Sequence, residues 1–174
     1  SPQIMRLEHE HTERSVMPTD PELAFVEERS RRVRVMPFLD GIPCSIHGLV
    51  FPTAVTVFRP VEMLVFRGTG SVLTYGGTAT MWDPPAGDRE EMRATARRVG
   101  THLRAAIGSR GAFTIDGVLT SDGFLPTELN PRPGAGQGAV ARGADSIPLV
   151  TLHRPLVAGE DLDYRPSDLE RVVV

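Results

Sequence analysis

Lysine is missing from this sequence: all nineteen basic residues are arginine, a bias that reads as the mark of a GC-rich coding genome rather than of function. The absence has a chemical consequence, because proteins that move phosphoryl groups commonly hold ATP through a lysine, and this chain offers none. Cysteine is nearly absent as well. The single Cys44 excludes an intrachain disulfide and a Cys-rich zinc site, and with no activating pattern beside it the residue reads as buried core. No apolar run is long enough to span a bilayer. Excess positive charge is lacking too: a net charge of −3 and a pI near 5.9 do not suit a sequence-independent nucleic-acid binder. Together these absences imply a reducing, cytoplasmic setting, with neither nucleic acid nor membrane as partner.

What is present is enough for one domain core and a small appendage: 174 residues, 40% of them hydrophobic. A helix is expected from a Thr19 or Asp20 cap, with Pro21 first, to about Arg29. His9 and His11 read as an exposed polar terminus, and Arg29, Arg31, Arg32 and Arg34 as a solvated face offset by Glu27 and Glu28. Strands are expected over 33–39 and, past the Asp40-Gly41 turn, over 43–51, then over 54–66 and 71–79. Between the last two, the glycines of 67–70 suit a turn rather than a phosphate loop. Met92, Ala96, Val99, Leu103 and Ile107 form the buried stripe of a helix over 87–107, capped by Asp83 or Asp88 and ended by Gly108. His102 reads as a surface residue on it.

The most informative stretch is 111–132. Ser121-Asp122-Gly123 is turn chemistry, and a hairpin centred on Asp122 sets Asp116 opposite Glu128. Alternation then puts Thr114, Asp116, Glu128 and Asn130 on one face, and Phe113, Ile115, Leu119, Leu125 and Leu129 on the other. Like charges opposed across a ladder repel, so the pair calls for a cation between them or a shared proton. A bridging cation is the simpler account. Two carboxylates and a carboxamide are hard oxygen donors that suit Mg²⁺, with Mn²⁺ as the alternative. Arg132 adds a planar fork for phosphate oxygens. Beyond it, 133–138 is too glycine-rich for a regular element, and serves either as a connector or as backbone N–H donors toward a phosphate or acyl group. Asp145-Ser146 cap a last helix carrying Ile147, Leu149, Val150 and Leu152, which Pro155 stops or kinks and Gly159 closes.

Glu128-Leu129-Asn130-Pro131-Arg132, with Asp116 twelve residues earlier, resembles the metal-binding signature of the ATP-grasp superfamily. The resemblance runs from about Arg34 to about Gly159. It implies an α+β fold, a mostly antiparallel sheet with a long helix packed across it, corresponding to the C-terminal subdomain of the ATP-binding fold. It further implies that Asp116, Glu128 and Asn130 hold Mg²⁺ on the ATP phosphates and that Arg132 steadies the transferred group. Val35-Met36-Pro37-Phe38-Leu39 looks like the family's adenine hinge, with the Pro37 carbonyl as acceptor and the Leu39 N–H as donor, and Phe38 between them. Met36 stands where many relatives carry Glu, and Cys44-Ser45 where they often have an acid. Arg59 and Glu62 lie in the stretch that lines the family's acceptor cleft: Arg59 is placed to orient a carboxylate and Glu62 to meet an amine, or the two form a surface ion pair.

On this reading, residues 1–32 are a helix or linker, 33–160 the subdomain and 161–174 a truncated tail. The lysines and glycine-rich flap of the family precede the part resembled, so the chain is expected to be a fragment bearing half of an ATP site. The implied activity is ligation of a small-molecule or peptide carboxylate to an amine or thiol through an acyl phosphate. A kinase sharing the metal site, or a non-catalytic nucleotide- or cation-binding assembly module, are the competing readings. Self-association is left open.

Overall fold

The computed structural model describes residues 28–29, 37–68, 73–144 and 147–173. The expected N-terminal helix lies outside them except for Glu28 and Arg29, which are helical, and so do His9, His11, Arg31, Arg32, Arg34, Asp145 and Ser146. The chain divides into two compact units, residues 1–39 with 67–73, and residues 40–66 with 74–174. In the first, residues 37–39 form no strand, contrary to the expectation for 33–39, whose earlier residues are not described.

The second unit is built on β1 (Ile42–Val50), β2 (Val55–Val57), β3 (Val61–Arg67), β4 (Leu73–Ala79), β5 (Gly111–Thr120) and β6 (Gly123–Asn130), all of whose residues belong to it except the end residues Arg67 and Leu73. Strand order is β4-β3-β1-β5-β6, with β2 also on β1. β1 pairs with β5 along its whole length, antiparallel, from Ile42 opposite Leu119 to Val50 opposite Gly111. Its other edge is shared by β2 at residues 48–50 and β3 at 44–45. The single strand expected over 54–66 is therefore two. Pro60 has no N–H for a ladder, so the pairing breaks at 58–60, bridged by the Phe58 N–H donating to the His47 carbonyl at 2.9 Å.

Alternation sends successive β1 residues to opposite faces, and each face has its own core. Cys44, Ile46 and Val50 join Phe113, Ile115, Leu119 and Phe124 against Met92 and Ala96 of the long helix α1 (Ala86–Ile107). Leu49 and Val61 join a second cluster holding Val140 of α2 (Ala135–Arg142), Leu156 of α3 (His153–Ala158), and Leu169 and Val173 of α4 (Pro166–Val173). Residues 166–173, expected as part of a tail, are thus helical and packed, with Thr56 Oγ1 donating to the Pro166 carbonyl at 3.0 Å.

α1 approaches the sheet closely because Gly100 lacks a Cβ, which would lie 2.7 Å from Val55 Cγ1. Its cap differs from expectation. Pro85 precedes it without a side-chain bond, and Asp83 pairs instead with Arg89 at 2.6 Å. Gly108 ends it at φ 64, a left-handed conformation cheap only for glycine. Ile107, expected in the buried stripe, is 72% exposed. At about 100° per residue its azimuth falls between those of Ala96 and Gly100, so its exposure comes from the last turn running past the sheet, not from rotation of the stripe.

Two further expectations are corrected. The glycine-rich stretch after Arg132 is helical from Ala135; Gly134 and Gly136 are there because a Cβ at either would collide with His47, and at Gly134 with Thr114 as well. The helix expected after Asp145-Ser146, α3, begins at His153, after turns at 149–152; Pro155 lies in its first turn, where a missing N–H costs nothing.

Candidate functional site

The polar face of β5–β6 forms by an unexpected route. Near the turn, Thr120 opposes Gly123, Leu119 opposes Phe124 and Gly117 opposes Pro126, so the hairpin is centred between Ser121 and Asp122. Continued unbroken, that register would set Asp116 opposite Thr127. Instead a bulge between Asp116 and Gly117 inserts Thr127 as an extra residue, and beyond it Asp116 opposes Glu128 and Thr114 opposes Asn130. The bulge falls next to Pro126, which has no N–H to give the ladder. Gly117 is needed beside it, since a Cβ there would lie 2.5 Å from the Leu125 carbonyl oxygen. One expectation falls with the symmetric hairpin: Phe124, 5% exposed, takes the core position, and Leu125 is 39% exposed. Leu129, in register with core Ile115, is 44% exposed on the edge strand.

β1 completes the site. Ser45 pairs with Asp116 and His47 with Thr114, on the same face. The Ser45 hydroxyl donates to Asp116 Oδ1 at 2.5 Å, and Asn130 Nδ2 donates to Asp116 Oδ2 at 3.1 Å. Arg132 Nη2 in turn donates to Asn130 Oδ1 at 3.3 Å. Burial pushes the Asp116 carboxyl above its ordinary value; the Ser45 hydrogen bond opposes this, and the Glu128 charge reinforces it. Glu128 and Arg132 are exposed, while Asp116 and Asn130 are half-buried. The donor set fits a hard divalent cation: two opposed carboxylates, one of them penalised by burial in a way a cation would relieve, and a neighbouring carboxamide oxygen.

The structure does not gather every expected residue here. Glu62 opposes Cys44, so it lies on the α1 face, whereas Asp116 opposes Ser45 and lies on the other. Arg59, half-buried, lies in the break between β2 and β3. Pro37, Phe38 and Leu39 belong to the other unit, where the Arg67 guanidinium lies 5.1 Å from the Phe38 ring centre. Cys44 is fully buried, its thiol pushed up to about 12 by desolvation, so it is core and no nucleophile.

Sequence reasoning missed two members of this face, Ser45 and His47. His47 is 1% exposed, with Nδ1 3.0 Å from Thr114 Oγ1, which also donates to the Arg132 carbonyl at 3.2 Å. The available signal was alternation: Ser45 and His47 are polar where Cys44 and Ile46 are apolar, as on a strand with one face in core.

No family model matches the sequence, and no curated protein matches it. Solved structures do. Phosphoribosylglycinamide synthetase from Anaerococcus prevotii is similar with a TM-score of 0.57 and 17% identity over 72% of this chain and 31% of that one. An L-amino acid ligase from Bacillus licheniformis is similar with a TM-score of 0.53 and 17% identity, over 70% and 30%. N5-carboxyaminoimidazole synthase from Aspergillus clavatus, solved with ADP and 5-aminoimidazole ribonucleotide, gives 0.54 and 13%, over 70% and 30%. The matched part spans about a third of the length of these proteins. A putative ATP-grasp superfamily protein from Archaeoglobus fulgidus is also similar, with a TM-score of 0.51 and 19% identity over 74% of this chain and 38% of that one. Identities this low speak to architecture alone, and the architecture of this chain is that of a subdomain of an ATP-grasp fold.

Proposed function

We propose that this chain supplies the metal- and phosphate-binding part of an ATP-dependent ligase that joins a carboxylate to an amine or thiol in a cytoplasmic setting. The observation that carries the reading is the Asp116 carboxylate, held between Ser45 and Asn130, opposite Glu128, with Arg132 attached to the same Asn130. Asp116, Glu128 and Asn130 would hold Mg²⁺ or Mn²⁺, which neutralises charge on the ATP phosphates when bound. Arg132 offers its fork to the transferring group, and the backbone of Pro37 and Leu39, flanking Phe38, serves adenine. In the reaction, a carboxylate oxygen of the substrate bonds to the γ-phosphorus as ADP leaves. An amine or thiol then attacks the acyl carbon, loses its proton and expels phosphate. This chain's residues position groups and offset charge; none needs to form a covalent bond. The ADP and aminoimidazole ribonucleotide bound by the Aspergillus clavatus enzyme support a nucleotide and a small-molecule co-substrate here. Arg59 is the candidate to orient the acceptor carboxylate.

A second reading, a non-catalytic nucleotide- or cation-binding module, is favoured by the absence of any lysine to grip phosphates. A kinase would share the metal site and differ in its acceptor. Calorimetric titration with Mg·ATP tests the reading: Mg-dependent binding that Glu128→Ala abolishes supports it, and no binding at millimolar nucleotide sinks it. Trapping with hydroxylamine separates a ligase, which forms an acyl phosphate, from a kinase.

A further inference from the structure

His47 is a fully enclosed imidazole on the polar face, and its surroundings determine its proton. The Thr114 hydroxyl has one hydrogen, and the bond to the Arg132 carbonyl uses it. The contact between Thr114 Oγ1 and His47 Nδ1 at 3.0 Å must then be donated by the imidazole, so the ring carries its hydrogen on Nδ1 and is bare at Nε2. Burial agrees with a neutral ring, since it pushes the imidazole down to about 4. The other side of the ring is packed by the backbone following Arg132. A Cβ on Gly134 would lie 2.6 Å from Thr114 Oγ1 and 2.9 Å from His47 Cε1, and one on Gly136 would collide with Nε2.

We infer that His47 is a positioning residue for Arg132: acting through the Thr114 hydroxyl it fixes the Arg132 backbone carbonyl, and so the point from which the guanidinium reaches Asn130. The chain of bonds is continuous, running from β1 through Thr114 on β5 to Arg132 past the end of β6, and from Arg132 by way of Asn130 and Asp116 back to Ser45 on β1. A ring of contacts that closes through three strands resists tilt of the Arg132 arm in a way that packing alone does not. A hydrophobic residue of similar size would fill the same space but leave the Thr114 hydroxyl without its donor, free to turn away from Arg132.

This inference rests on the reading of Arg132 as the group that meets phosphate, and its test has two readouts that do not. In wild type, nitrogen-edited spectra of the imidazole should show the Nδ1-protonated tautomer. His47→Leu and Thr114→Val should each shift the Arg132 backbone amide resonance and weaken Mg·ADP binding by about tenfold. The two together should do no more than either alone. His47→Asn, which keeps an N–H donor near the Nδ1 position, should return both readouts to near wild type. Should His47→Leu fail to fold, Thr114→Val, which preserves shape, carries the same comparison. An Nε2-protonated ring, or an Arg132 resonance unmoved by Thr114→Val, overturns the inference. Absence of Mg·ADP binding by wild type sinks the ligase reading instead, and the tautomer and the Arg132 resonance still decide for or against His47.

Discussion

Ser45 donates its hydroxyl hydrogen to Asp116 Oδ1 at 2.5 Å across the β1–β5 register, a side-chain link between the strand that carries Asp116 and the central strand of the sheet. Ser45 is 3% exposed, so water cannot replace it. A hydrogen bond to a charged acceptor contributes about 1.5–3 kcal/mol. Ser45→Ala should therefore lower unfolding stability by about 2 kcal/mol in urea melts. Because the same bond opposes the upward push on the Asp116 carboxyl, the variant should also bind Mn²⁺ less well at mildly acidic pH, where more of that carboxyl is protonated.

The bulge at Thr127 makes a prediction that a symmetric hairpin would reverse. Phe124 is 5% exposed and packs in the α1-side core, whereas Leu125 is 39% exposed. Phe124→Ala should cost about 3–5 kcal/mol and Leu125→Ala within about 1 kcal/mol. Equal losses at the two positions would contradict the register.

These elements mark how far the sequence could be read. The opposition of Asp116 and Glu128 was legible because turn residues and a period of two are local signals. A turn centred on Asp122 lies half a residue later than the real one, and the bulge at Thr127 leaves no local signal; the two differences cancel at Asp116 and Glu128 and persist near the turn, at Phe124 and Leu125. Long-range pairing was not legible. His47 and Thr114 are 67 residues apart in sequence, and only the β1–β5 ladder brings them together. The α2 helix was hidden for another reason. Glycine is a poor helix former, and its use at Gly134 and Gly136 reflects close approach to His47 and Thr114, a tertiary demand that overrides propensity.

The buried imidazole also sets an acid limit. His47 ordinarily titrates at 6.5 and in the folded chain at about 4, so the unfolded chain takes up a proton first as pH falls. The stabilisation is fully present above pH 6.5, declines between 6.5 and about 4, and amounts to about 3 kcal/mol across that window. Asp116 acts in the opposite sense, since its raised carboxyl favours the folded state at low pH. Comparing His47→Asn with wild type isolates the histidine: in urea melts at pH 7.5 and pH 4.5, the stability loss on acidification should be smaller in the variant by about 2–3 kcal/mol. An identical loss would show that His47 is not the buried neutral group.

The helix α4 is held by a clamp remote from the carboxylate pair. Glu170 Oε1 accepts from Arg93 Nη2 at 2.6 Å and from Arg97 Nη2, while Val57 N–H donates to Oε2 at 3.3 Å. The Arg93 side chain is 12% exposed and that of Glu170 17%, but that of Arg97 is 45%. Exposed pairs contribute little, whereas breaking a buried pair strands a charge. Glu170→Ala should then cost about 3 kcal/mol, mostly from the abandoned Arg93, and Arg97→Ala about 1 kcal/mol or less. Replacing both Arg93 and Glu170 by apolar residues of similar volume should recover much of the loss, because no charge is then left buried. Thermal melts of the single and double variants read this directly. A double variant as unstable as Glu170→Ala would mean that α4 is held by Leu169 and Val173 in the core, with the ion pair contributing only shape.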